Sequence, residues 1–154
     1  MKQSRREFLK TTAALSSLLY IPSEILGRGN SVAPSDKLNI AAIGAGGMGQ
    51  ADLSQLESEN IVALCDVDWN RASESFKKYP NANKYKDFRI MLDKEKSLDA
   101  VLVAAPDHMH AIATLAVIER GLHVYCEKPL TYSIGEARKV AIAAREAKIA
   151  SQMG

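Results

Sequence analysis

A glycine-rich segment between two apolar runs could hold the phosphates of a dinucleotide. The run 40–43 leads into GAGGMG, residues 44–49, and a second run, 61–64, ends at Cys65-Asp66. In dinucleotide-binding βαβ units the glycines allow a tight turn, close approach of the pyrophosphate and close helix packing, while the acid that closes the second strand binds the ribose. Because a carboxylate repels a 2′-phosphate, the pattern predicts NAD rather than NADP. A glycine turn without a nucleotide is the alternative.

Two further segments place polar side chains after predicted strands. PDHMH, residues 106–110, follows the strand 99–105, and Glu127-Lys128-Pro129 follows the strand 122–126. Ligands bind outside the carboxyl ends of the strands in open parallel sheets, so both segments are expected to meet the glycine turn. A surface lysine in a turn is the alternative interpretation of Lys128. The pattern Asp-His-x-His could also suggest zinc, but no third ligand at a suitable spacing follows, and we predict no metal site.

The elements that must position these segments alternate between strand and helix. Further strands are expected at 84–85 and 149–152, and helices at 69–79, 87–92, 110–120 with Gly121 as C-cap, and from the Ser133 cap to about 147, with Glu136 completing a capping box. This alternation predicts an α/β fold, a Rossmann-like doubly wound parallel sheet with helices on both faces. The two cysteines, at the ends of separate strands, are expected to be buried thiols rather than a disulfide.

The amino terminus has the composition of an export signal. Residues 1–30 carry five basic and two acidic side chains, so that the remainder of this +2 chain is close to neutral, and nothing there suggests a nucleic-acid surface. SRREFLK, residues 4–10, resembles the twin-arginine signal and precedes a short, diluted apolar stretch, 11–21. We therefore expect an export signal and linker over residues 1–33, a Rossmann domain over 34–154, and a periplasmic or otherwise exported protein. An amphipathic helix with a chance Arg-Arg pair is the alternative.

Four motifs together resemble one family. They are GAGGMG at 44–49, CDVD at 65–68, APDHMH at 105–110 and EKPL at 127–130, the last being the most specific. The segment 38–154 is similar to the cofactor domain of the glucose–fructose oxidoreductase and inositol dehydrogenase family, Gfo/Idh/MocA. The resemblance implies a second α/β domain that holds the sugar and drives oligomerisation. We expect that domain to be missing here, so that the chain is a fragment.

The resemblance also implies roles for individual residues. Lys128 would lie beside the nicotinamide and the reacting hydroxyl, stabilise charge there and relay a proton, making it the catalytic residue. Pro129 would follow a cis peptide, Glu127 would orient Lys128 or contact the ribose, and His110 would cap or start its helix near the nicotinamide. The expected cofactor-binding residues are Gly44, Gly46, Gly47, Met48, Gly49, Asp66, Pro106, His110, Glu127 and Lys128.

The functional interpretation is the nucleotide-binding half of an exported NAD-dependent oxidoreductase acting on a sugar or polyol hydroxyl. We expect the protein to hold NAD tightly and to bind a sugar or polyol substrate through the missing domain. We also expect it to interact with the twin-arginine export machinery and, as a whole protein, to form a homo-oligomer. One alternative is an NAD-dependent glycoside hydrolase that works by transient oxidation and elimination. Another is an inactive nucleotide-binding fragment, and residues 1–154 alone are expected to show no turnover.

Overall fold

The computed structural model describes residue 33 and residues 36–154. The sequence motif interpreted as a twin-arginine signal lies outside the described residues and stays a prediction. Residues 38–154 form one compact unit, which contains every strand described below. Within the described part, no helix is both long and apolar enough to cross a membrane.

Strands and helices alternate along residues 38–154, as the sequence pattern predicts. The strands are β1 (Asn39–Ile43), β2 (Asn60–Cys65), β3 (Asn83–Tyr85), β4 (Ala100–Val103), β5 (His123–Cys126) and β6 (Ser151–Met153). The α-helices are α1 (Met48–Leu53), α2 (Ser73–Lys78), α3 (Phe88–Lys94), α4 (Asp107–Ile118) and α5 (Ile134–Ala147), and a 3-10 turn (Ser54–Leu56) follows α1.

All six strands form one parallel sheet in the order β3-β2-β1-β4-β5-β6. After β1 the chain adds β2 and β3 on one side of the sheet, and after β4 it adds β5 and β6 on the other side. The switch point therefore lies between β1 and β4. Ligands bind at such a switch point, beyond the carboxyl ends of the strands. The predicted doubly wound α/β fold is confirmed. Because β1 and β4 separate β2 from β5, Cys65 and Cys126 lie on strands that do not touch, and both are buried free thiols.

Apolar side chains cover both faces of the sheet. One core cluster joins Val101 and Val103 of β4 to Met91 of α3, Val117 of α4 and Val140 of α5. A second cluster on the other face includes residues of β1, β2 and β4 with the buried Leu53 and Phe76, which belong to α1 and α2. Strands buried on both faces read as continuous apolar runs, which is why the sequence revealed them.

The helix predicted over 69–79 begins only at Ser73 and ends at Lys78. The Oδ1 atom of Asp68 accepts hydrogen bonds from the backbone N–H groups of Asn70, at 3.0 Å, and Arg71, at 3.1 Å. These bonds hold the preceding residues in turns, as aspartate side chains commonly do. The predicted start was therefore four residues too early.

The helix predicted over 110–120 begins three residues earlier, at Asp107, and ends at Ile118. Pro106 occupies its N-cap. Asp107 places a carboxylate in the first turn, where its negative charge interacts favourably with the positive end of the helix dipole. His110 therefore neither caps nor starts the helix, and that prediction was wrong. The C-cap is Glu119 rather than Gly121, although Gly121 has the positive φ, 71°, that turns the chain toward β5. The strands β5 and β6 are also offset by one or two residues from the predicted ranges.

Candidate functional site

A cleft of about 500 Å³ opens at the carboxyl ends of β1, β2, β4 and β5. Most of the predicted cofactor-binding residues line it, namely Gly44, Gly46, Met48, Asp66, Pro106, His110, Glu127 and Lys128. Gly47 and Gly49 belong to the same turn but are not among the lining residues. The fold thus brings three segments that are distant in sequence to one place, as expected for a switch-point site.

The glycine turn is packed tightly against the end of β4. Gly44 has a φ of 85°, and a Cβ atom there would lie 2.4 Å from the carbonyl oxygen of Ala104. A Cβ atom at Gly49 would lie 1.8 Å from the carbonyl oxygen of Gly44. Only glycine fits at these two positions, because any side chain would displace backbone. The turn and the start of α1 are therefore held in fixed positions at the edge of the cleft.

Asp66, the acid that closes β2, is hydrogen-bonded to the glycine turn. Its Oδ2 atom accepts from the backbone N–H groups of Ala45, at 2.9 Å, and Gly46, at 3.1 Å. Its Oδ1 atom accepts from the N–H of Asp68 at 2.9 Å. Each carboxylate oxygen has two lone pairs, so acceptor capacity remains for a ligand hydroxyl. The side chain predicted to read a ribose also fixes the shape of the turn, which sequence reasoning had not anticipated.

Arg71 is a cleft residue that sequence reasoning missed. A Cβ atom at Gly46 would lie 2.8 Å from Arg71 Cγ, and one at Gly47 would lie 2.9 Å from Arg71 Nη2, so this side chain lies over the glycine turn. Among the described residues, the guanidinium has no hydrogen-bond or ion-pair partner. It therefore adds a positive charge beside the turn that no hydrogen bond or ion pair of the described residues engages. Because residues 69–72 were interpreted as part of a helix, a position of Arg71 in the cleft was not predicted. Val67 and Asp68 line the same wall.

Lys128 stands on the opposite side of the cleft, on the turn after β5. The backbone N–H of Glu127 donates to the carbonyl oxygen of Val103 at 2.9 Å, which extends the pairing of β5 with β4 up to this turn. The Lys128–Pro129 peptide is cis, as the resemblance implied. The lysine side chain is exposed, and no ion pair joins it to Glu127 among the described residues. Its ammonium group is therefore available to a ligand in the cleft.

Glu127 belongs to a small acidic cluster beneath the cleft. It is only 9% exposed, and its Oε1 atom lies 3.4 Å from the hydroxyl of Tyr125, a long hydrogen bond. Burial, and then the charge of Glu127, raises the pKa of Asp52 on α1. Burial also raises the pKa of Tyr125, with smaller contributions from both carboxylates. The Glu127 carboxylate thus faces this cluster as well as the cleft.

His110 lies between two turns of the site. It is 1% exposed, its Nε2 atom is 2.6 Å from the carbonyl oxygen of Ala105, and its Nδ1 atom is 2.7 Å from that of Pro129. The ring therefore lines the cleft with both nitrogens directed at backbone rather than at an open position. His108 is exposed and does not line the cleft. The described residues hold no group of three or more His, Cys, Asp or Glu side chains able to bind a metal.

The buried cysteine next to Asp66 takes no direct part in the cleft. Burial, followed by the charges of Asp66 and Asp87, raises the pKa of Cys65 to about 12. Burial likewise raises the pKa of Cys126. Reactive cysteines have depressed pKa values, so these are inert thiols of the core.

The residues present fit a dinucleotide. The cleft has the size of small-molecule sites. A Cβ atom at Gly46 would collide with the side chain and the backbone of Arg71, so glycine is what allows Arg71 to lie against the turn. Arg71 and Lys128 supply cations at two sides of the cleft for an anionic ligand, and Asp66 supplies acceptors for hydroxyl groups. An adenine dinucleotide carries phosphates and ribose hydroxyls that these groups would bind.

Comparison with known proteins relates this chain to oxidoreductases. Residues 38–154 match the family described as the oxidoreductase family GFO_IDH_MocA, NAD-binding Rossmann fold. A D-glucoside 3-dehydrogenase from Escherichia coli is 35% identical over 120 residues, which are 75% of this chain and 34% of that protein. Like this relative, the inositol 2-dehydrogenases that match are about three times longer than the match, so the chain spans about a third of their length.

Solved structures give the same result. The myo-inositol 2-dehydrogenase of Lactobacillus plantarum superposes with a TM-score of 0.70 at 28% identity, over 77% of this chain and 36% of that one. An NAD-binding oxidoreductase from Klebsiella pneumoniae superposes with a TM-score of 0.68 at 33% identity, over 77% of this chain and 34% of that one.

Proposed function

This chain belongs to the Gfo/Idh/MocA oxidoreductase family and contains its NAD-binding Rossmann domain, and from that premise we propose that it is the cofactor-binding part of an exported enzyme that transfers hydride between NAD and a hydroxyl of a sugar or polyol. The observation that carries the proposal is the convergence of the glycine turn, Asp66 and Lys128 on one cleft. The glycine turn and Asp66 supply groups suited to adenosine and phosphates, while Lys128 supplies a proton donor across from them.

The proposed roles follow from the chemistry of each group. Asp66 accepts a hydrogen bond from the adenosine ribose at Oδ1, whose second lone pair the backbone donors leave unused. The guanidinium of Arg71 neutralises phosphate charge beside the turn. When bound, NAD supplies the acceptor for a hydride. The ammonium of Lys128 hydrogen-bonds the substrate oxygen, stabilises the negative charge that develops there and takes part in moving its proton.

The substrate class is inferred from the relatives. Their names specify a D-glucoside and inositols, which share secondary hydroxyl groups on a six-membered ring. We propose that the sugar or polyol is held by a second domain of the whole protein and that this protein forms a homo-oligomer. Net accumulation of NADH on such a substrate supports this reaction.

A second candidate is a glycoside hydrolase acting by transient oxidation, whose first step is the oxidation at position 3 of a glucoside that the name of the Escherichia coli relative specifies. Oxidation of the C3 hydroxyl of a glucoside to a ketone makes the neighbouring C2 proton acidic. Its removal can expel the aglycone from C1, and water then adds before the ketone is reduced again. Release of an aglycone without net NADH distinguishes this reaction from a simple dehydrogenase.

Export is the third part of the proposal. It rests on SRREFLK at residues 4–10, since paired arginines before an apolar stretch mark the twin-arginine route. Replacing both arginines with lysine, R5K/R6K, preserves charge and is expected to retain the protein in the cytoplasm. Fractionation of cells producing the wild type and the double variant checks this, and equal export of both would contradict it.

The cofactor assignment is tested by calorimetric titration of the 154-residue chain with NAD and NADP. We expect NAD to bind with clear preference over NADP. Asp66→Ala is expected to weaken NAD binding by about tenfold and to reduce the preference, because it removes the ribose acceptor and the repulsion of a 2′-phosphate. Glu119→Ala, which removes an exposed carboxylate at the far end of α4, serves as the matched control. Unchanged affinity of Asp66→Ala for both nucleotides would refute the assignment.

A further inference from the structure

Arg71 lines the cleft, yet its guanidinium is engaged by no other described side chain. Other arginines of the domain do have such contacts. Arg120 forms an ion pair with Asp93 at 2.6 Å, and the guanidinium of Arg89 lies over the ring of Phe88. For Arg71 the described residues provide neither an ion pair nor a ring contact. Its N–H donors are therefore open to an anion in the cleft.

The glycine turn brings Arg71 and Asp66 to the same residue, Gly46. The backbone N–H of Gly46 donates to Asp66 Oδ2 at 3.1 Å, and a Cβ atom at Gly46 would lie 2.8 Å from Arg71 Cγ. The side chain of Arg71 then extends along the turn, since its Nη2 atom would lie 2.9 Å from a Cβ atom at Gly47. The carboxylate and the guanidinium thus flank one residue of the turn, and no ion pair joins them.

Backbone hydrogen bonds after β2 build this arrangement. Asp66 Oδ1 accepts from the N–H of Asp68 at 2.9 Å, and Asp68 Oδ1 accepts from the N–H of Arg71 at 3.1 Å. A Cβ atom at Gly46 would also lie 2.8 Å from the carbonyl oxygen of Arg71. The backbone of Arg71, as well as its flexible side chain, is therefore held at the turn that Asp66 contacts.

The two side chains place opposite demands on a nucleotide. A carboxylate that binds the hydroxyl groups of the adenosine ribose repels a phosphate on that ribose, whereas a nearby arginine can hold such a phosphate. On this wall of the cleft two carboxylates, those of Asp66 and Asp68, stand against the one guanidinium of Arg71. The charge of the wall therefore opposes a 2′-phosphate, and removal of one carboxylate charge would leave it balanced.

We propose that Arg71 is a specificity-determining residue of the nucleotide site, able to hold the 2′-phosphate of NADP, and that the charge of Asp66 keeps this capacity unused. The inference rests on the proposed NAD site, because it places the adenosine ribose at Asp66. The preference for NAD then results from a balance of charges at the end of β2. Loss of one negative charge admits NADP, and the guanidinium of Arg71 binds it.

A double-mutant cycle on the 154-residue chain tests this, with calorimetric titration of NAD and NADP, which differ only by the 2′-phosphate. Asp66→Asn removes the charge and keeps one oxygen that can accept from the N–H groups of Ala45 and Gly46. We expect Asp66→Asn to raise NADP affinity by about tenfold, the effect of one hydrogen bond to a charged group. Adding Arg71→Ala is expected to weaken NADP binding about tenfold more than it weakens NAD binding.

Lys86→Ala, made in the wild type and in the Asp66→Asn variant, is the matched control. Lys86 directly follows β3 at the same end of the sheet, its ammonium lies over the ring of Trp69, and it does not line the cleft. Its removal takes away the same charge as Arg71→Ala. We expect it to change the affinity for either nucleotide by less than twofold.

The outcomes separate this inference from the proposed function. With NAD binding intact in the wild type, the inference alone is overturned if Asp66→Asn gains no NADP affinity, if the gain survives Arg71→Ala, or if Lys86→Ala abolishes it equally. A wild type that binds neither nucleotide overturns the proposed NAD site and this inference together. Circular dichroism checks that each variant is folded, and Asp66→Ser replaces Asp66→Asn in the cycle if the latter is not.

Discussion

Two glycines at equivalent positions of two helices provide a matched test of the packing around the glycine turn. Gly49 is the second residue of α1, and Gly135 is the second residue of α5. A Cβ atom at residue 49 would lie 1.8 Å from the carbonyl oxygen of Gly44, whereas one at residue 135 meets only Ser133 Oγ, at 3.9 Å. Real Cβ contacts stay beyond 3.0 Å, so Gly49→Ala must move α1 away from the turn by about 1.2 Å.

The expected energies of the two substitutions have opposite signs. Alanine in place of a helical glycine stabilises by ~0.5–1 kcal/mol, mainly because the unfolded chain loses freedom. Forcing a methyl group into a packed site costs ~1–3 kcal/mol. Gly49→Ala is therefore expected to lower the free energy of unfolding by about 1–2 kcal/mol, and Gly135→Ala to leave it equal or raise it slightly.

Urea unfolding and NAD titration of both variants measure these effects. A shift of α1 displaces the glycine turn, so Gly49→Ala is expected to lose at least tenfold in NAD affinity, while Gly135→Ala retains it. The reasoning is refuted if both variants unfold at the same urea concentration and bind NAD as the wild type does. Loss of affinity without loss of stability would instead locate the effect in the turn alone.

Three further predictions concern single groups. Arg71→Ala is expected to weaken NAD binding severalfold and to reduce the dependence of that binding on salt, because an unpaired cation beside the glycine turn is lost. Calorimetry at two salt concentrations measures both effects, and the NAD affinity of Arg71→Lys should lie between those of the wild type and Arg71→Ala. The hydrogen bond to Glu95 and then burial raise the pKa of Tyr85 to about 12, so this phenol contributes stability below about pH 10 that is lost as the pH rises toward 12; the absorbance difference between wild type and Tyr85→Phe shows its ionisation, and a midpoint near pH 10 would contradict it. Cys65 and Cys126 are expected to resist thiol reagents in the folded protein and to react on unfolding; rapid labelling of either in the folded state would show that the core opens.

The elements that depend on local sequence were predicted well. β1, β2 and β4 are continuous apolar runs because both faces of the sheet are covered. The capping box at the start of α5 is present, with Glu136 N donating to Ser133 Oγ at 3.2 Å and Ser133 N donating to Glu136 Oε2 at 3.0 Å. These bonds join residues three positions apart, so a sequence pattern contains all the information they require.

The features that were missed depend on contacts between distant residues. The side chain of Arg71 lies against Gly46 and Gly47, which follow a different strand. One of the carbonyl oxygens that face the His110 ring belongs to Pro129, nineteen residues away. The late start of α2 has a local cause, the two hydrogen bonds accepted by Asp68, but aspartate side chains form such bonds in only some of their occurrences. Helical periodicity could not distinguish the two outcomes.

The strand order has a consequence for how the cofactor and the fold depend on each other. The residues that line the cleft are spread along the chain from Gly44 to Lys128. They lie together only when β1 and β4 are neighbours in the sheet. An unfolded chain therefore offers no comparable site, and a nucleotide that spans the cleft binds only the completed sheet. By mass action, nucleotide at one hundred times its dissociation constant would add about 2.7 kcal/mol to the stability of the whole sheet. Slowed hydrogen exchange throughout the central strands, rather than at the cleft alone, would be the signature of that dependence.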